Sequence, residues 1–475
     1  MRKYFYLLLF VFFFLLYAAT AQRGVSWQDS GEFQWRILSG DLRWFAGLAR
    51  AHPLYLHLAT LFNTVFPASA FFFSTHLLSA VGMAGAATLI ALLVALQTHR
   101  RTCGVLAALL FGLSHMPWWL GTIAEVDAWG CLFLALELLG LRWALEKQTA
   151  LPWLLLAFLN GLDFSLHNIA LLNIPILLIA CPPRYWLGCL AVWCVGCSPI
   201  LYLLPHEIKV YGIGGGIKSL LFGYDYAHAV LGTTFKFKMV LASYALFSIN
   251  LMNPAWFTAL RPLWREKGSF SHALRGLLLI HALFFLRYFI PSQALFSTTT
   301  LLLLSVWAGL GASYLSQRVL LRLSLGSIVC SITVPILLLF AVDTYHLFPN
   351  RQRALPFRKE ARYWLLPWKH NETSAQQFVD HIGKLLHDTD VLIADPTIAG
   401  PLMAAQKAGA LSTGWRLITP WSGETDDMLK ALVGSQQRIF VLSPIAGYTP
   451  AVFLNGSFRF EKEDILYRVR SVHHE

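Results

Sequence analysis

The stretch WQDSGEFQWR, residues 27–36, holds two carboxylates, Asp29 and Glu32, directly behind an apolar run that ends near Ala21. A carboxylate within hydrogen-bond reach of a hydroxyl group can act as a general base. Ionisable side chains at membrane depth are costly, so a functional pocket is their default interpretation. Asp29 is therefore a candidate base and Glu32 its supporting acid. Taken alone, the pair fits equally well with solvated acids in the first turn of a helix, where the helix dipole favours negative charge.

The composition indicates what kind of chain must position these acids. The 475 residues are 56% hydrophobic and 13% charged, with a mean hydropathy of +0.56, which is far more apolar than a soluble domain. The net charge of +12 does not indicate a nucleic-acid partner, because Lys and Arg cluster in short loops between apolar runs. That distribution is typical of membrane topology. The sequence therefore predicts an α-helical polytopic membrane protein.

The alternation of basic loops and apolar runs predicts the topology. Basic stretches, which mark the cytoplasmic side, lie at residues 2–3, 98–101, 142–147, 182–184, 261–268 and 316–322. About eleven apolar runs supply the crossings: 4–21, 70–97, 103–117, 125–143, 151–166, 168–181, 186–204, 240–259, 273–290, 294–314 and 323–342. We interpret the first as an uncleaved helix, and residues 54–66 as an interfacial or re-entrant helix.

The character of the chain changes after Asp343, because no further spanning run follows. Residues 1–343 are predicted to form the membrane domain, and residues 344–475 a small soluble α/β domain on the extracytoplasmic side. Within it, residues 391–396 and 438–443 favour buried strands, and residues 374–388 favour a helix with Ser374 as its cap.

Two smaller motifs are interpreted without a chemical role. The GIGGG stretch, residues 212–216, is interpreted as a flexible turn, because no strand precedes it and no clear helix follows it. The seven cysteines lie almost wholly in apolar runs, so no disulfide framework is expected.

The predicted topology brings the unusual polar residues to the external face. They come from separate loops: Asp29, Glu32, His52, Glu125, Asp127, His167, Arg287 and Tyr288. Each type has a simpler explanation, since acids are tolerated at helix starts, a histidine can be satisfied at the interface and an arginine can snorkel to a headgroup. Their convergence on one face favours a binding pocket.

Sugar transfer from a lipid-phosphate donor is a chemistry that needs such a set. A carboxylate can remove the proton of the acceptor hydroxyl, and an arginine can bind the phosphate with two donors and stabilise it as it leaves. The polyprenyl tail of the donor stays in lipid, which would explain a site at the membrane interface.

Four motifs resemble a known family. DSGE (residues 29–32), AHPLY (51–55), AEVDAW (124–129) and GLDFSLHN (161–168) are similar to the protein O-mannosyltransferase-like membrane proteins of the GT-C glycosyltransferases. The family's usual HPPGYP is reduced here to His52 and Pro53 followed by Leu54 and Tyr55. The resemblance covers roughly residues 25–180, with RYFIP (287–291) beyond it.

The resemblance implies a GT-C fold with many transmembrane helices, a catalytic acid in the first external loop and a polyprenyl-phosphate-linked sugar donor. On the matching positions, Asp29 would be the base and Glu32 its neighbour in the motif. His52, Glu125 and His167 would shape the donor or acceptor site.

The remaining assignments rest on chemistry and topology alone. Arg287 is the candidate phosphate ligand, and Asp127 and Tyr288 belong to the same external face. A divalent cation is compatible with this chemistry but not required, because the sequence offers no dedicated ligand cluster beyond acids that already have roles.

These features favour a membrane glycosyltransferase of the protein O-mannosyltransferase-like type, which moves a sugar such as mannose to a protein or glycan hydroxyl. A bacterial inner membrane with the site facing the periplasm is the preferred location. The alternatives are a transporter or flippase that binds a lipid headgroup without chemistry, and a scaffold whose external domain binds a partner.

Overall fold

The computed structural model describes residues 4–224, 230, 237–290, 292–348, 353–419, 423–433, 435 and 437–472. Arg2 and Lys3 of the first basic stretch and Pro291 of the RYFIP motif lie outside the described residues.

The chain up to Thr344 is helical in the part that the structure describes. Its α-helices are α1 (Phe5–Thr20), α2 (Gln28–Ser39), α3 (Pro53–Asn63), α4 (Phe71–Thr98), α5 (Arg101–Gly112), α6 (His115–Leu120), α7 (Asp127–Lys147), α8 (Ala150–Leu166), α9 (Ile174–Ala180), α10 (Trp186–Gly196), α11 (Ser198–Leu201), α12 (Leu204–Phe222), α13 (Phe237–Leu251), α14 (Leu260–Arg265), α15 (Ser269–Arg287), α16 (Ser297–Ala312) and α17 (Gln317–Thr344).

Each of the eleven apolar runs overlaps helical structure. Among the described residues, five segments are long and apolar enough to cross a membrane by themselves: Ala68–Thr98, Asp127–Lys147, Ser269–Arg287, Gln293–Ala312 and Gln317–Thr344. Shorter apolar helices include Phe5–Thr20, Arg101–Gly112, Ala150–Leu166 and Asn168–Ala180. At a rise of about 1.5 Å per residue, these shorter helices reach across only part of about 30 Å of hydrocarbon.

Glycines allow the helices to pack closely. A Cβ built on Gly161 of α8 would lie 2.4 Å from the carbonyl oxygen of Trp193 in α10, and one on Gly196 would lie 2.4 Å from that of Phe158. Small residues at such crossings let two helix backbones approach closely. In lipid this close approach stabilises the helix pair, because helix association there depends largely on van der Waals contact.

Two local predictions can be compared with the helices. Residues 54–66 do begin as a helix, α3, which is 11 residues long and buries Tyr55; its depth in the membrane stays a prediction. The interpretation of GIGGG as a turn holds only for Gly212, since residues 213–216 are helical within α12. Gly212 adopts φ 72° there, so the helix kinks at this glycine and continues on both sides.

The C-terminal region adds four helices and a mixed sheet. These are α18 (Glu360–Leu365), α19 (Ser374–Leu385), α20 (Pro396–Lys407) and α21 (Asp426–Val433), with β1 (Val391–Ile393), β2 (Arg416–Ile418), β3 (Ile439–Val441), β4 (Phe458–Glu463) and β5 (Leu466–Ser471). The strand order is β2-β1-β3-β5-β4. Strands β2, β1 and β3 pair in parallel, whereas β5 is antiparallel to both of its neighbours, β3 and β4.

The sheet confirms the two predicted strands and corrects the predicted cap. β1 and β3 lie within residues 391–396 and 438–443. Ser374 does not cap α19, because the preceding residue Thr373 holds the cap position. The Ser374 hydroxyl instead accepts a hydrogen bond from the Trp27 indole at 2.8 Å. All seven cysteines are free thiols.

We expect Gly161→Val to lower the free energy of unfolding by about 1–3 kcal/mol, because the added side chain must force α8 and α10 apart. The measurement is unfolding of the detergent-solubilised protein. Gly326→Val is the matched control, since no atom lies within 4 Å of a Cβ at Gly326. Equal stability of the two variants would contradict this packing account.

Candidate active site

A cavity of about 260 Å³ lies where several helices end. Its charged and ionisable lining residues are Asp29, Glu32, Arg50, His52, Glu125, Asp127 and His167. Its lining also includes many apolar and aromatic side chains, among them Leu171, Leu172, Leu221, Phe222, Phe284, Tyr288, Ile290, Leu295 and Phe296. Seven of the eight residues singled out in the sequence therefore line one space.

Helix α2 carries the two acids of the opening motif. Residues three apart on a helix share a face, and this spacing turns both Asp29 and Glu32 to the cavity. The Asp29 side chain is 52% exposed, whereas that of Glu32 is 7% exposed. The helix ends at Gly40, whose left-handed φ of 69° lets its N–H bond the carbonyl of Arg36.

Arg50 is a site residue that the sequence analysis missed. Its Nη2 lies 3.3 Å from Asp29 Oδ1 and 3.6 Å from Glu32 Oε2. The guanidinium therefore lies within ion-pair distance of both acids. The sequence feature that could have indicated Arg50 as a site residue was its position two residues before the candidate His52.

Arg36 holds that loop in place and was also missed. Its guanidinium is fully buried and donates hydrogen bonds to the backbone carbonyls of Asp41, Leu42, Arg50 and Ala51 at 2.6–3.3 Å. It also lies 3.8 Å from Glu32 Oε1 and 4.9 Å from the centre of the Trp44 ring. The loop therefore folds around a charged side chain of α2, which fixes the position of Arg50.

The environment distinguishes the two acids. Burial raises the pKa of Glu32 to about 8, an effect that Arg50 and Arg36 oppose and Asp29 reinforces. Glu32 is therefore mostly protonated at neutral pH. Asp29, by contrast, is half exposed and lies 3.3 Å from the Arg50 guanidinium.

Glu125 is held between α2 and α4. Ser79 of α4 accepts a hydrogen bond from the backbone N–H of Glu125 at 3.0 Å and donates one to its carbonyl at 3.1 Å. Ser30 of α2 donates to the carboxylate at 3.2 Å. These contacts fix both the backbone and the side chain of Glu125 beside Asp29.

The two histidines present different groups to the cavity. His52 donates from Nδ1 to the carbonyl of Leu166 at 2.8 Å, so its Nε2 is an acceptor. His167 accepts at Nδ1 from the N–H of Ile169, so its Nε2 carries the proton, 4.0 Å from Asp127 Oδ1. Burial lowers the pKa of His52, and lowers that of His167 to about 4, so both rings are neutral at pH 7.

Aromatic rings form much of the apolar lining. Tyr288 stacks on Phe284 at 4.9 Å between ring centroids and meets Phe296 edge-on at 5.0 Å. His167 packs edge-on against Phe296, with the ring centroids 6.0 Å apart, so a polar lining residue contacts an aromatic one. Arg287 is not among the lining residues; its guanidinium donates to the carbonyl of Val230 at 2.6 Å.

No group of three or more His, Cys, Asp or Glu in the described part of the chain is arranged to hold a metal ion. The cavity contains four carboxyl groups that could offer oxygen ligands to a cation, those of Asp29, Glu32, Glu125 and Asp127. Two of them, Asp29 and Glu32, already contact Arg50.

The comparisons with known proteins show the fold. No family model and no curated protein matches the sequence. Among solved structures, the chain is similar to ArnT from Cupriavidus metallidurans bound to undecaprenyl phosphate, with a TM-score of 0.65 and 12% identity over 98% of both chains. The fold is that of the GT-C glycosyltransferases. The chain is therefore an integral membrane protein, as its apolar helices indicate.

A second solved structure is the oligosaccharyltransferase of Archaeoglobus fulgidus in its apo form, with a TM-score of 0.49 and 11% identity over 92% of this chain and 70% of that one. The predicted fold class is confirmed by the similarity to ArnT. Membership of the O-mannosyltransferase-like subfamily stays a prediction.

We expect Glu32→Gln to flatten the pH dependence of stability between about pH 4.5 and 8. In this window the folded protein keeps the Glu32 proton while the unfolded chain loses it, so the wild type loses stability as the pH rises. The measurement is the melting temperature as a function of pH, with Glu146→Gln as a surface control. Parallel curves for Glu32→Gln and the wild type would count against the raised pKa.

Proposed function

We propose that this protein is a membrane glycosyltransferase that moves a sugar from a polyprenyl-phosphate-linked donor to a hydroxyl group of a protein or glycan on the extracytoplasmic side. The observation that carries the proposal is the cavity itself, which is lined by acids and an arginine as well as by apolar and aromatic side chains. A lipid-linked sugar needs both kinds of group, polar ones for the sugar phosphate and apolar ones for the isoprenoid. The similar ArnT structure contains undecaprenyl phosphate, which supports this class of donor.

In the proposed reaction, Asp29 acts as the base. Its carboxylate takes the proton of the acceptor hydroxyl while the acceptor oxygen attacks the anomeric carbon. The bond between that carbon and the phosphate oxygen breaks, and its electron pair leaves with the polyprenyl phosphate. Attack opposite the leaving group inverts the anomeric centre.

Arg50 is the proposed phosphate ligand, in place of Arg287. Arg50 lines the cavity beside Asp29, whereas Arg287 lies outside the lining. A planar guanidinium can donate two hydrogen bonds to a phosphate and stabilise the charge that develops on it as the sugar departs.

The remaining polar residues are proposed to orient the sugar. His52 offers an acceptor and His167 a donor, while Glu125 and Asp127 accept hydrogen bonds from sugar hydroxyls. Mannose is one sugar that such a set could bind. A bacterial inner membrane, with the cavity and the C-terminal region on the periplasmic side, is the proposed location.

The direct test is release of polyprenyl phosphate by the purified protein in proteoliposomes that contain polyprenyl-phosphate hexoses or pentoses and an extract of acceptor proteins and glycans. Mass spectrometry of the acceptors would identify the added sugar. Lipid flipping without any released polyprenyl phosphate or modified acceptor would contradict the proposal and favour transport.

We expect Asp29→Asn to lower the rate of sugar transfer about 10²–10⁴-fold, because the amide keeps the shape but cannot take the proton. Asp41→Asn is the matched control, since Asp41 follows the end of α2 and lies outside the cavity lining. Comparable transfer by Asp29→Asn and the wild type would remove Asp29 as the base.

We expect Arg50→Lys to lower kcat/KM for the donor about tenfold and Arg50→Met about 100-fold, since lysine keeps the charge but lacks the planar pair of donors. Arg43→Met is the control; Arg43 lies in the same loop and contacts His206 instead. Equal losses in the Arg43 and Arg50 variants would indicate a general effect on the loop.

A further inference from the structure

Helix α2 packs directly against helix α20 of the C-terminal region, on the side away from the cavity. A Cβ built on Gly400 of α20 would lie 2.7 Å from the backbone nitrogen of Glu32 and 2.8 Å from the carbonyl oxygen of Gln28. A Cβ on Gly31 of α2 would lie 2.8 Å from the backbone nitrogen of Pro401. Both approaches are to backbone atoms, so no change of rotamer could relieve them.

The N-terminal end of α2 is held by the same region. The Trp27 indole donates to Ser374 Oγ at 2.8 Å and packs on Phe378 with ring centroids 5.2 Å apart. Gly31 lies between Asp29 and Glu32 in the sequence. The contacts of Trp27 and of Gly31 therefore lie on either side of Asp29 in the sequence. They fix the start and the middle of the helix that carries this acid.

The loop that carries Glu125 is braced from the same direction. Thr122 donates a hydrogen bond to the carbonyl of Pro367 at 3.2 Å. Trp119 packs edge-on against Trp364 at 5.1 Å, and the Lys369 ammonium lies 4.3 Å from the centre of the Trp119 ring. One region of the chain thus contacts both segments that supply acids to the cavity.

The described lining residues all lie between Asp29 and Phe296. Within the described residues, the C-terminal region therefore acts on the cavity through the segments that it holds. A displacement of about 1 Å at a reacting group can lower a rate about 100-fold, and an added Cβ at Gly400 would need a shift of a comparable size.

We infer that α20 is a positioning element of the active site, which sets the place of Asp29 and Glu32 through the contact between Gly400 and Gly31. This inference rests on the proposed function for its kinetic consequence, although the positioning itself does not depend on which sugar is transferred. The C-terminal region then belongs to the catalytic unit and is not an accessory domain.

The test compares Gly400→Ala and Gly400→Val with Gly383→Ala in the reconstituted full-length protein. Gly383 is a suitable control because it lies in a helix of the same region, and its added Cβ would meet only the end of the Leu411 side chain, at 3.0 Å. We expect kcat to fall about tenfold in Gly400→Ala and about 100-fold in Gly400→Val, with KM for the donor changed less than threefold. Gly383→Ala should keep the wild-type kcat.

Hydrogen exchange provides a readout that needs no substrate. We expect the amides of residues 28–39 to exchange at least tenfold faster in Gly400→Ala, while the rest of the membrane helices keep their protection. If Gly400→Val does not fold, the test rests on Gly400→Ala together with Trp27→Phe. The Trp27→Phe substitution removes the hydrogen bond to Ser374 but keeps an aromatic ring packed on Phe378.

A double variant separates positioning from general destabilisation. Because Gly400 is proposed to act through the acids of α2, adding Gly400→Ala to Asp29→Asn should lower the residual activity less than twofold. Wild-type kcat and unchanged exchange in the Gly400 and Trp27 variants would overturn the inference. Full activity of Asp29→Asn would instead overturn the proposed base, and the exchange result would still decide the positioning role.

Discussion

The structure of the site depends on one buried cation. Arg36 lies on α2 with its charge fully enclosed, and four backbone carbonyls of the loop from Asp41 to Ala51 accept its hydrogen bonds. An enclosed charge without partners costs several kcal/mol, so α2 and this loop are stable only when they form together. These contacts place Arg50 and the backbone that leads to His52, and both of these residues line the cavity.

The membrane explains why the polar groups meet where they do. Helix interiors in lipid must be largely apolar, whereas helix ends can reach water and backbone partners. Asp29 lies in the first turn of α2, Asp127 begins α7, and His167 and Tyr288 follow the ends of α8 and α15. The cavity is therefore lined by both polar groups and aromatic rings, a combination suited to a ligand with a polar head and an apolar tail.

Several features of this site could be predicted from the sequence because they are local. Hydropathy and charge located the helical runs, and seven of the eight proposed residues line the cavity. Arg50 was missed because nothing in the sequence distinguishes it from the other arginines of this basic chain. Its role became visible only from its distances to Asp29 and Glu32. Arg287 was proposed because of its predicted side of the membrane. That prediction does not specify whether the side chain lines the cavity.

The amino-acid sequence by itself determined that this chain is a helical membrane protein with acids next to its apolar runs and an α/β region after the last long helix, because those properties follow from short-range patterns. Only the tertiary structure decided which arginine is buried, which one faces the acids, and that Gly31 meets Gly400 across 369 positions of chain. These facts depend on how closely distant backbones approach, and close approach is a property of packing that no local pattern encodes.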